Sequence, residues 1–373
     1  MTQTTRRVLL IFGGRSAEHQ VSLASAASIA RSIRAKEIEV LPVLITLDGA
    51  WLLLNSPEDS AETGARVSLR LEPKFPALVD VENGEPYRFD IVFPVIHGPG
   101  GEDGSLQGIL EMAEVPYVGA GVTSSAVGMD KELTKIICEA DDIAVVEWVA
   151  LQWEKHRNDP IEVRRALEAA SITPPLFVKP VALGSSVGIS RVDHEESLDS
   201  AVEFAFRFHR RILVERAIEG RELECAVIGN STGDGVSHGP KVAEHLAEIR
   251  PRGSWYDYER KYTQGSTDIL IPADVDEPLA ADLRELALRV YKAMEVDGMA
   301  RVDFLVETGA ASPKVYLNEL NTIPGFTATS VYSKLWEATG LAYPDLISQL
   351  LELGIARRLF LDQFGSARVI DSV

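Results

Sequence analysis

Apolar runs alternate with amphipathic stretches in the first third of the chain, which predicts strands followed by helices. Residues 7–12 form an apolar run typical of a buried strand, and a glycine pair leads from it into a helix predicted over 16–33. Further strands and helices are predicted at about 40–47, 89–96 and 106–114. This β–α alternation predicts an open parallel α/β domain over residues 1–120.

From Asp130 the pattern changes, and a chain of 373 residues is long enough for two or three domains in all. Residues 121–215 contain a predicted helix near 131–139 and short strands, whereas residues 216–373 are mostly strand up to about residue 249. Residues 250–269 are rich in glycine and aromatic residues and lack clear periodicity. Because a structureless loop of this length in a compact domain is usually functional, we interpret it as a lid.

Two short apolar runs in the last third of the chain carry polar residues at strand spacing. The first contains Arg301 and Asp303, and the second contains Glu319 and Asn321. Residues two apart on a strand share a face, so each pair points in one direction. Buried carboxylates are costly unless they are paired, and Mg²⁺ prefers such oxygen ligands. Two interpretations stay open: a site for a magnesium-bound nucleotide, or an Arg301–Asp303 salt bridge with the second pair exposed at a sheet edge.

The composition is that of a soluble globular protein with a strongly acidic balance. Of 373 residues, 56 are acidic and 37 are lysine or arginine, which gives a net charge of −19. Nucleic acids and anionic membranes need basic surfaces, so this charge argues against both as partners. An anionic ligand must then be bound by a local cluster of lysines and arginines.

Nothing in the sequence pattern predicts export or membrane insertion. Cys138 and Cys225 lie far apart, without the spacing of a metal site or a disulfide framework. Glycine ends the apolar run at 8–12 too early for a signal peptide, and no run approaches the roughly 18 apolar residues of a membrane span. A cytoplasmic location is therefore expected.

A loop of small residues, GSSVG over 184–188, follows Lys179 by five residues. Small residues let backbone N–H groups approach phosphate oxygens closely, and a lysine supplies the countercharge. The loop lacks the Gly-Lys-Ser/Thr of a P-loop. It therefore predicts either a phosphate site of another kind or an ordinary glycine–serine hairpin.

Seven short stretches, taken together and in order, are similar to those of one enzyme family. They are FGGRSAEH (12–19), HGPGGEDG (97–104), MDK (129–131), VKP (178–180), GSSVG (184–188), YERKY (258–262) and NELNT (318–322), the last leading into Pro324-Gly325. The chain resembles the D-alanine–D-alanine ligases of the ATP-grasp superfamily over essentially its whole length. The HGPGGEDG and NELNT stretches are the most specific.

The resemblance implies an α+β ATP-grasp fold, with a substrate-binding open parallel α/β domain over 1–120 and two ATP-grasp lobes over 121–215 and 216–373. It implies that two D-alanines are joined through an acyl phosphate, with release of ADP and phosphate, for peptidoglycan precursors. ATP is then a substrate, and two Mg²⁺ or Mn²⁺ ions are expected with it. The resemblance also implies a cytoplasmic homodimer.

By the same resemblance, the polar residues of the two late strands form the metal and phosphoryl site. Asp303, Glu319 and Asn321 match the family's metal ligands, with Glu319 bridging both ions. Arg301 matches the arginine that stabilises the transferring phosphoryl group, a role suited to planar bidentate donation. Gly325 would add a backbone N–H to the same oxyanion site.

The resemblance assigns a further set of residues to ATP. Lys131 and Lys179 match lysines that contact the phosphates, and Lys261 is expected at the γ-phosphate when the lid closes. The adenine and ribose contacts would come from Glu215, the backbone of Ala217 and Ile218, and Glu222.

The amino-acid substrates are implied to bind near the N-terminal domain. Glu18 matches the carboxylate that receives the ammonium of the first D-alanine, and His97 lines the same pocket. Ser185, Glu18 and Tyr262 would form a hydrogen-bonded set that holds the closed lid and keeps water from the acyl phosphate. Ser330 would bind the carboxylate of the second substrate, or alternatively would only cap the following helix.

Two other functions stay open at this point. A ligase of the same fold could use D-lactate or D-serine as its second substrate. Lactate-using relatives lack the Lys261-Tyr262 pair, so its presence here favours dipeptide formation. A non-catalytic ATP-binding regulatory protein should have lost a metal ligand or Arg301, and neither is missing.

Overall fold

Three β-sheets organise the computed structural model, which describes residues 7–36, 38–73, 77–231, 239–251, 267–309 and 313–364. The helices of these ranges are α1 (His19–Arg34), α2 (Ser105–Met112), α3 (Val122–Met129), α4 (Lys131–Ala140), α5 (Trp153–Asn158), α6 (Glu162–Ala170), α7 (Leu198–Phe206), α8 (Glu277–Ala293), α9 (Val331–Ala338) and α10 (Tyr343–Leu361). Among them, none is both long enough and apolar enough to cross a membrane.

The first sheet is built from β1 (Arg7–Gly13), β2 (Glu39–Ile45), β3 (Trp51–Leu53), β4 (Ala65–Arg70), β5 (Ala77–Asp80), β6 (Pro86–Arg88) and β7 (Ile91–Pro94). Its order is β6-β5-β4-β3-β2-β1-β7. β1 pairs in parallel with β2 and β7, which confirms the predicted α/β arrangement there. The pairs from β2 through β6 are antiparallel, so the sheet is mixed, because their short connections leave no room for crossover helices.

A glycine turn at the end of β1 delivers the first candidate side chain. Gly13 and Gly14 have φ values of +89° and +90°, and a Cβ on Gly13 would lie 2.3 Å from the carbonyl oxygen of Ile45. Only glycine fits such a turn. The turn brings Glu18 to the start of α1, beside the carboxyl ends of β1 and β7, where ligands bind in α/β sheets.

The second sheet is antiparallel and consists of β8 (Trp148–Gln152), β9 (Leu176–Pro180), β10 (Ser190–Val192) and β11 (Arg211–Arg216) in the order β10-β9-β11-β8. Val163 of α6 and Val202 of α7 are buried in one cluster with Val178 of β9. Side chains alternate between the two faces of a strand, so Lys179 and Glu215 point away from this cluster. They face the third sheet instead.

The third sheet consists of β12 (Gly220–Ile228), β13 (Lys241–Val242), β14 (Ala247–Pro251), β15 (Thr267–Leu270), β16 (Met299–Glu307) and β17 (Lys314–Asn321). Its main path runs β15-β14-β12-β16-β17, and β13 pairs with β12. Cys138 and Ile143 are buried in the core of this sheet beside Leu223 and Phe304. Helix α4 therefore packs on the third sheet, although it precedes the second in the chain.

The first and third sheets share one apolar core. It contains Leu10 of β1, Ala226 of β12, Phe326, and Leu350 of α10, all buried. Each predicted domain corresponds broadly to one sheet, and the boundaries at residues 120 and 215 remain a prediction. Of the predicted lid over 250–269, the two ends pair as β14 and β15, and residues 252–266 lie outside the described residues.

Candidate active site

Polar side chains lie in register on three neighbouring strands of the third sheet. Asp303 on β16 is directly opposite Glu224 of β12 on one side and Glu319 of β17 on the other. Arg301, two residues before Asp303, is opposite Asn321. Opposite residues share a face of the sheet, so the four predicted residues lie together. We call Glu224, Asp303, Glu319 and Asn321 the oxygen cluster; Glu224 was not predicted from the sequence.

Arg301 is bound closely by two of the carboxylates. Its Nε and Nη2 donate to the two oxygens of Asp303 at 2.7 and 2.6 Å, and Nε lies 3.2 Å from Glu224 Oε2. Burial disfavours the charged form of Arg301, but Asp303 and Glu224 outweigh it and raise its pKa well above the ordinary value. The Arg301–Asp303 salt bridge of the second interpretation is therefore present, while Glu319 lines a cavity between two sheets.

The oxygen cluster holds more carboxylates than its arginine neutralises. Asp303 is 0% exposed, and its Oδ2 also accepts a hydrogen bond from Asn321 Nδ2 at 2.9 Å. Carboxylate oxygens of Glu222, Glu224 and Asp303 lie within 4.8 Å of one another. Crowded buried carboxylates are stabilised by a cation among them, and hard divalent cations prefer such ligands. The donors of Glu222, Glu224 and Asp303, the last of which is a predicted metal ligand, are therefore of the kind that Mg²⁺ or Mn²⁺ prefers.

Two adjoining cavities open onto this cluster. The first, of about 270 Å³, lies between the second and third sheets and is lined by Lys131, Lys179, Glu215, Ile218, Glu222 and Glu319. The second, of about 260 Å³, lies next to the first sheet and is lined by Glu18, His97, Arg301, Asn321, Gly325 and Ser330. Gly184, Ser185 and Glu222 line both, so the cavities meet at the 184–188 loop.

The 184–188 loop and Lys131 form one side of the first cavity. Lys131 begins α4, which Asp130 caps by accepting from Leu133 N at 3.1 Å. Its Nζ donates to Leu183 O at 2.7 Å, which anchors the ammonium beside the loop. Burial lowers the pKa of Lys131, and Glu319 partly offsets that effect. A buried ammonium next to small residues is suited to a phosphate group.

The two serines of the loop have a strained backbone. Ser185 and Ser186 have φ values of +52° and +58°, in the left-handed region that costs a residue with a side chain on the order of 1 kcal/mol or more. Such strain gathers at ligand sites, because the surrounding structure must hold it in place. The loop connects the antiparallel strands β9 and β10, so it is a hairpin loop, and Gly184 and Ser185 line both cavities.

Glu215, the predicted adenine residue, is bound by two buried lysines. Lys179 Nζ lies 2.5 Å from its Oε2, and Lys135 Nζ lies 3.3 Å from its Oε1. Burial raises the pKa of Glu215, but the two lysines prevail and lower it. Nearby, Ala217 N donates to Pro175 O at 2.9 Å, so a contact from Ala217 to adenine would use its carbonyl.

Glu18 is enclosed by two glycine-containing loops and a serine. Ser185 Oγ donates to its Oε1. A Cβ built on Gly98 would lie 2.7 Å from Glu18 Oε2, and one built on Gly184 would lie 2.9 Å from the same atom. A Cβ at either position would require the Glu18 carboxylate to move from this place. The structure thus brings Glu18 and Ser185 together, as the sequence predicts.

His97 is buried and is fixed in one tautomer by its partners. Its Nδ1 lies 2.9 Å from Ile323 O and must donate to it, so its Nε2, 3.0 Å from Ser25 Oγ, accepts from that hydroxyl. Burial lowers the pKa of His97, against a smaller opposite effect of Glu18. The imidazole is therefore neutral, and it links the end of β7 to the segment after β17.

Glu102 is a site residue that the residue-by-residue assignment missed, although it lies in the HGPGGEDG stretch. Its Oε2 accepts from Gly98 N at 2.7 Å, and its Oε1 accepts from Ile323 N at 2.9 Å. Burial, followed by the charge of Glu18, raises the pKa of Glu102 to about 8, although both amides favour the carboxylate.

Ser330 and Gly325 are neighbours in the second cavity. Ser330 occupies the N-cap position of α9, but its side chain makes no capping hydrogen bond to that helix. Instead, Thr327 N donates to its Oγ at 3.0 Å. A Cβ on Gly325 would lie 3.5 Å from the same Oγ. Of the remaining predicted site residues, Lys261 and Tyr262 lie outside the described part of the chain.

Two family models match most of the chain. The model of the D-ala D-ala ligase N-terminus matches residues 7–120, and that of the D-ala D-ala ligase C-terminus matches residues 137–352. The chain belongs to the D-alanine–D-alanine ligase family. Membership confirms the resemblance and the ATP-grasp fold predicted from the sequence, and it identifies the chain as an ATP-dependent ligase by class.

Curated members of the D-alanine–D-alanine ligase family are similar to the chain over nearly its whole length. The D-alanine–D-alanine ligase of Acetivibrio thermocellus is 40% identical over 375 residues, which cover 94% of this chain and 96% of that protein. The D-alanine–D-alanine ligase of Mycolicibacterium paratuberculosis is 40% identical over 371 residues, which cover 94% and 97%.

Solved structures of the family superpose with equal closeness on this chain. The D-alanine–D-alanine ligase from Coxiella burnetii gives a TM-score of 0.80 at 35% identity, covering 96% of this chain and 98% of that one. The VanG D-Ala:D-Ser ligase from Enterococcus faecalis also gives 0.80, at 32% identity, covering 94% and 100%. The fold alone therefore does not choose the second substrate.

Proposed function

We propose that the protein joins two D-alanines to D-alanyl-D-alanine, with cleavage of ATP to ADP and phosphate, in the synthesis of peptidoglycan precursors. The observation that carries the proposal is that two adjoining cavities both border the oxygen cluster, the first at Glu319 and the second at Glu224 and Asn321. One is lined by lysines and suits a triphosphate, and the other suits two small zwitterions. Relatives that are 40% identical carry this activity in their names.

The first step activates a carboxylate. A free carboxylate is a poor electrophile, so the first D-alanine attacks the γ-phosphate through its carboxylate oxygen, and ADP leaves. The product is an acyl phosphate. In this proposal Lys131 and Lys179 bind the phosphates, and Lys261 joins them when the lid closes. Arg301 lines the second cavity next to the cluster, where its guanidinium stabilises the negative charge of the transferring group.

Divalent cations fit the oxygen cluster, and we assign Asp303, Glu319 and Asn321 as the residues that would hold them. Mg²⁺ or Mn²⁺ supplies charge neutralisation for the transferring phosphoryl group. This assignment is supported by the type and position of the donors, which are carboxylate and amide oxygens in register on two strands. Glu224 belongs to the same group and binds Arg301.

The second step forms the peptide bond. The amine of the second D-alanine attacks the acyl phosphate carbonyl, a C–N bond forms, and the phosphate leaves. Arg301 and the N–H of Gly325 stabilise the tetrahedral oxyanion, and Ser330 binds the carboxylate of the second D-alanine. Ser330 lies beside Gly325 and does not cap α9, which is the geometry this role needs.

The first D-alanine is held by its ammonium. Glu18 faces the second cavity and accepts from Ser185, and Tyr262 would complete this set from the lid. His97 lines the same cavity. Glu215, Ala217, Ile218 and Glu222 are proposed to contact the adenosine; of these, Glu215, Ile218 and Glu222 line the first cavity.

We further propose that the enzyme works in the cytoplasm as a homodimer, on small-molecule substrates and without nucleic acid. The acidic balance of −19 supports the last point, because a nucleic-acid surface must be basic. The substrates ATP and D-alanine fit a cytoplasmic reaction.

A D-Ala:D-Ser ligase is the second candidate, because one such protein superposes on this chain with a TM-score of 0.80. The two activities share the first D-alanine and the acyl phosphate and differ only in the second substrate. The Lys261-Tyr262 pair argues against D-lactate as that substrate. The greater identity to D-alanine–D-alanine ligases favours the dipeptide of alanine.

Phosphate release tests the proposal. Purified protein with MgATP is given D-alanine alone, or D-alanine with D-serine or D-lactate, and L-alanine serves as control. We expect release with D-alanine alone, in equal amount to D-alanyl-D-alanine. Release that appears only after D-serine is added would assign the second candidate, and release only after D-lactate is added would assign a D-alanine–D-lactate ligase. No release under any condition would indicate a non-catalytic ATP-binding protein.

A further inference from the structure

Lys135 is a buried lysine that no sequence motif marks. It lies on α4, is 3% exposed, and its Nζ is 3.3 Å from both Glu215 Oε1 and the carbonyl oxygen of Val146. It is not among the residues that line either cavity. Val146 and Glu215 do line the first cavity, so Lys135 lies behind the wall that is proposed to contact the nucleotide.

Glu215 is the centre of a buried triad with two lysines. Glu215 is 4% exposed and Lys179 is 8% exposed, and their ion pair is 2.5 Å long. Each carboxylate oxygen of Glu215 therefore faces its own ammonium. A single buried carboxylate needs only one such partner to be compensated. The second lysine is an excess positive charge held inside the protein.

The second lysine can compensate the charge of Glu215 when a nucleotide binds. Lys179 is proposed to contact the ATP phosphates, and it cannot turn toward them without weakening its pair with Glu215. If Lys179 were the sole partner, Glu215 would then be a buried charge without compensation, which is strongly unfavourable. With Lys135 on the other oxygen, the carboxylate stays compensated while Lys179 moves.

We propose that Lys135 is a positioning residue for nucleotide binding, which keeps Glu215 compensated and in place while Lys179 transfers to the triphosphate. The inference rests on the proposed function, since it assumes that ATP occupies the first cavity. Lys131 is the first residue of α4, and Lys135 lies on the same helix. Helix α4 would therefore supply Lys131 as a phosphate contact and Lys135 as the residue that frees Lys179 to become a second phosphate contact.

The surrounding charges agree with this role. The ionisable groups that act on Lys135 are Glu215, Lys179 and Glu139. Glu139 accepts instead from Trp148 Nε1 at 3.0 Å, outside the triad. Lys135 and Lys179 therefore share one carboxylate, Glu215, whereas Lys131 is also under the influence of Glu319 and Glu18.

The test is to replace Lys135 by methionine in the full chain and to measure the dissociation constants of MgATP by calorimetry and of adenosine by ligand-observed NMR. Because adenosine has no phosphates, Lys179 should keep its ion pair with Glu215 when adenosine binds. We expect Lys135→Met to weaken MgATP binding by about tenfold or more, because Glu215 would lose its last partner. Adenosine affinity should change less than about twofold.

Two further variants keep the test informative. Lys292→Met, at an exposed lysine of α8, is the matched control and should leave both affinities unchanged. Lys135→Met/Glu215→Gln removes the carboxylate along with its partner, so it should bind MgATP within about threefold of Glu215→Gln alone. This double variant buries no unpaired carboxylate and is expected to fold even if Lys135→Met does not.

Three results would overturn the inference. Equal weakening of adenosine and MgATP would show that Lys135 is only structural. If the double variant weakened MgATP binding by the product of the two single-variant factors, the substitutions would act independently. Glu215 would then not be the residue through which Lys135 acts. Unchanged MgATP binding in Lys135→Met would remove the role altogether. If the wild-type chain itself bound no MgATP, the proposed function would fail first, and the inference with it.

Discussion

Asp303 is the residue on which the chemistry of the site converges. It is fully buried and accepts two hydrogen bonds from Arg301 and one from Asn321. Its neighbour Glu319 is less buried and faces the first cavity, so it is the better position for a test by substitution.

Glu319→Gln is predicted to lower the rate of phosphate release with D-alanine by about 100-fold or more, because an amide is a neutral and weaker ligand for Mg²⁺. The melting temperature should stay close to that of the wild type, since the two side chains have the same shape and Glu319 is only partly buried. Glu337→Gln, at an exposed position on α9, is the control. Unchanged turnover in Glu319→Gln would refute the metal role.

His97 predicts a specific dependence of stability on pH. Its pKa is lowered in the folded protein by burial, whereas the unfolded chain has the ordinary value of about 6.5. The unfolded state therefore binds more protons below that pH, and the free energy of unfolding falls as pH decreases through and below about 6.5. Above that pH, His97 is neutral in both states and contributes no pH dependence.

His97→Asn is the variant that isolates this effect. The asparagine amide can still donate toward Ile323 O, but it does not titrate. We expect the stability of this variant, measured by urea unfolding from pH 5 to 8, to fall less steeply toward low pH than that of the wild type. Identical slopes would mean that His97 is not held neutral by burial.

At the level of elements, the segment after β17 is held by the loop after β7. The backbone of Ile323 uses both of its polar groups: its N–H donates to Glu102, and its carbonyl accepts from His97. Gly325, the proposed oxyanion donor, follows two residues later. The 97–104 loop of the first sheet therefore sets the position of an oxyanion donor that follows the third sheet.

Glu102→Gln is predicted to disturb this arrangement. Both oxygens of Glu102 accept from backbone amides, and a glutamine must turn its NH₂ group toward one of them, donor against donor. We expect kcat for D-alanine ligation to fall by about tenfold, because a displaced catalytic group is costly even at small shifts. MgATP affinity should not change. Glu62→Gln, at an exposed position, is the control, and equal kcat in both variants would contradict the role.

Strand alternation was enough to predict the parts of the site that lie on one element. Arg301 and Asp303 share a face because they are two residues apart, and so do Glu319 and Asn321. Glu224 could not be found in this way, since its place beside Asp303 depends on the register of β12 against β16. Lys135 could not be found either, because it lies on α4 and its partner Glu215 lies 80 residues further along the chain, on β11 of the second sheet.

In the first sheet, too, the sequence pattern predicted some strands and missed others. The apolar runs of β1 and β7 predicted a parallel sheet, and these strands do pair in parallel. The strands β4 and β6 are largely exposed and β5 is buried but only four residues long, so none of them shows the longer apolar run that marks a buried strand. The lid over 250–269 stays a prediction, as do the roles of Lys261 and Tyr262.

At the scale of the whole molecule, all three sheets contribute to one site. Glu18 and His97 come from the first, Lys179 and Glu215 from the second, and Arg301 from the third. A ligand that contacts several sheets binds only the folded arrangement, so it stabilises the protein as a whole.

MgATP is accordingly predicted to raise the melting temperature. At 100 times its dissociation constant it would add about 2.7 kcal/mol to the free energy of unfolding. EDTA should remove most of the shift, because in the proposed function the metal would link the nucleotide to the oxygen cluster. A scanning calorimeter or a dye-based melt would measure this. The same shift with ATP and EDTA as with MgATP would contradict a metal-dependent nucleotide site.

The most direct measurement of the central claim follows an oxygen atom. D-Alanine labelled with ¹⁸O in its carboxylate is incubated with the protein and MgATP, and the released phosphate is examined by mass spectrometry. Attack of the carboxylate on the γ-phosphate predicts one labelled oxygen in each phosphate, because the acyl phosphate is later cleaved at its carbonyl carbon. Unlabelled phosphate would mean that no acyl phosphate forms, and the proposed chemistry would be wrong.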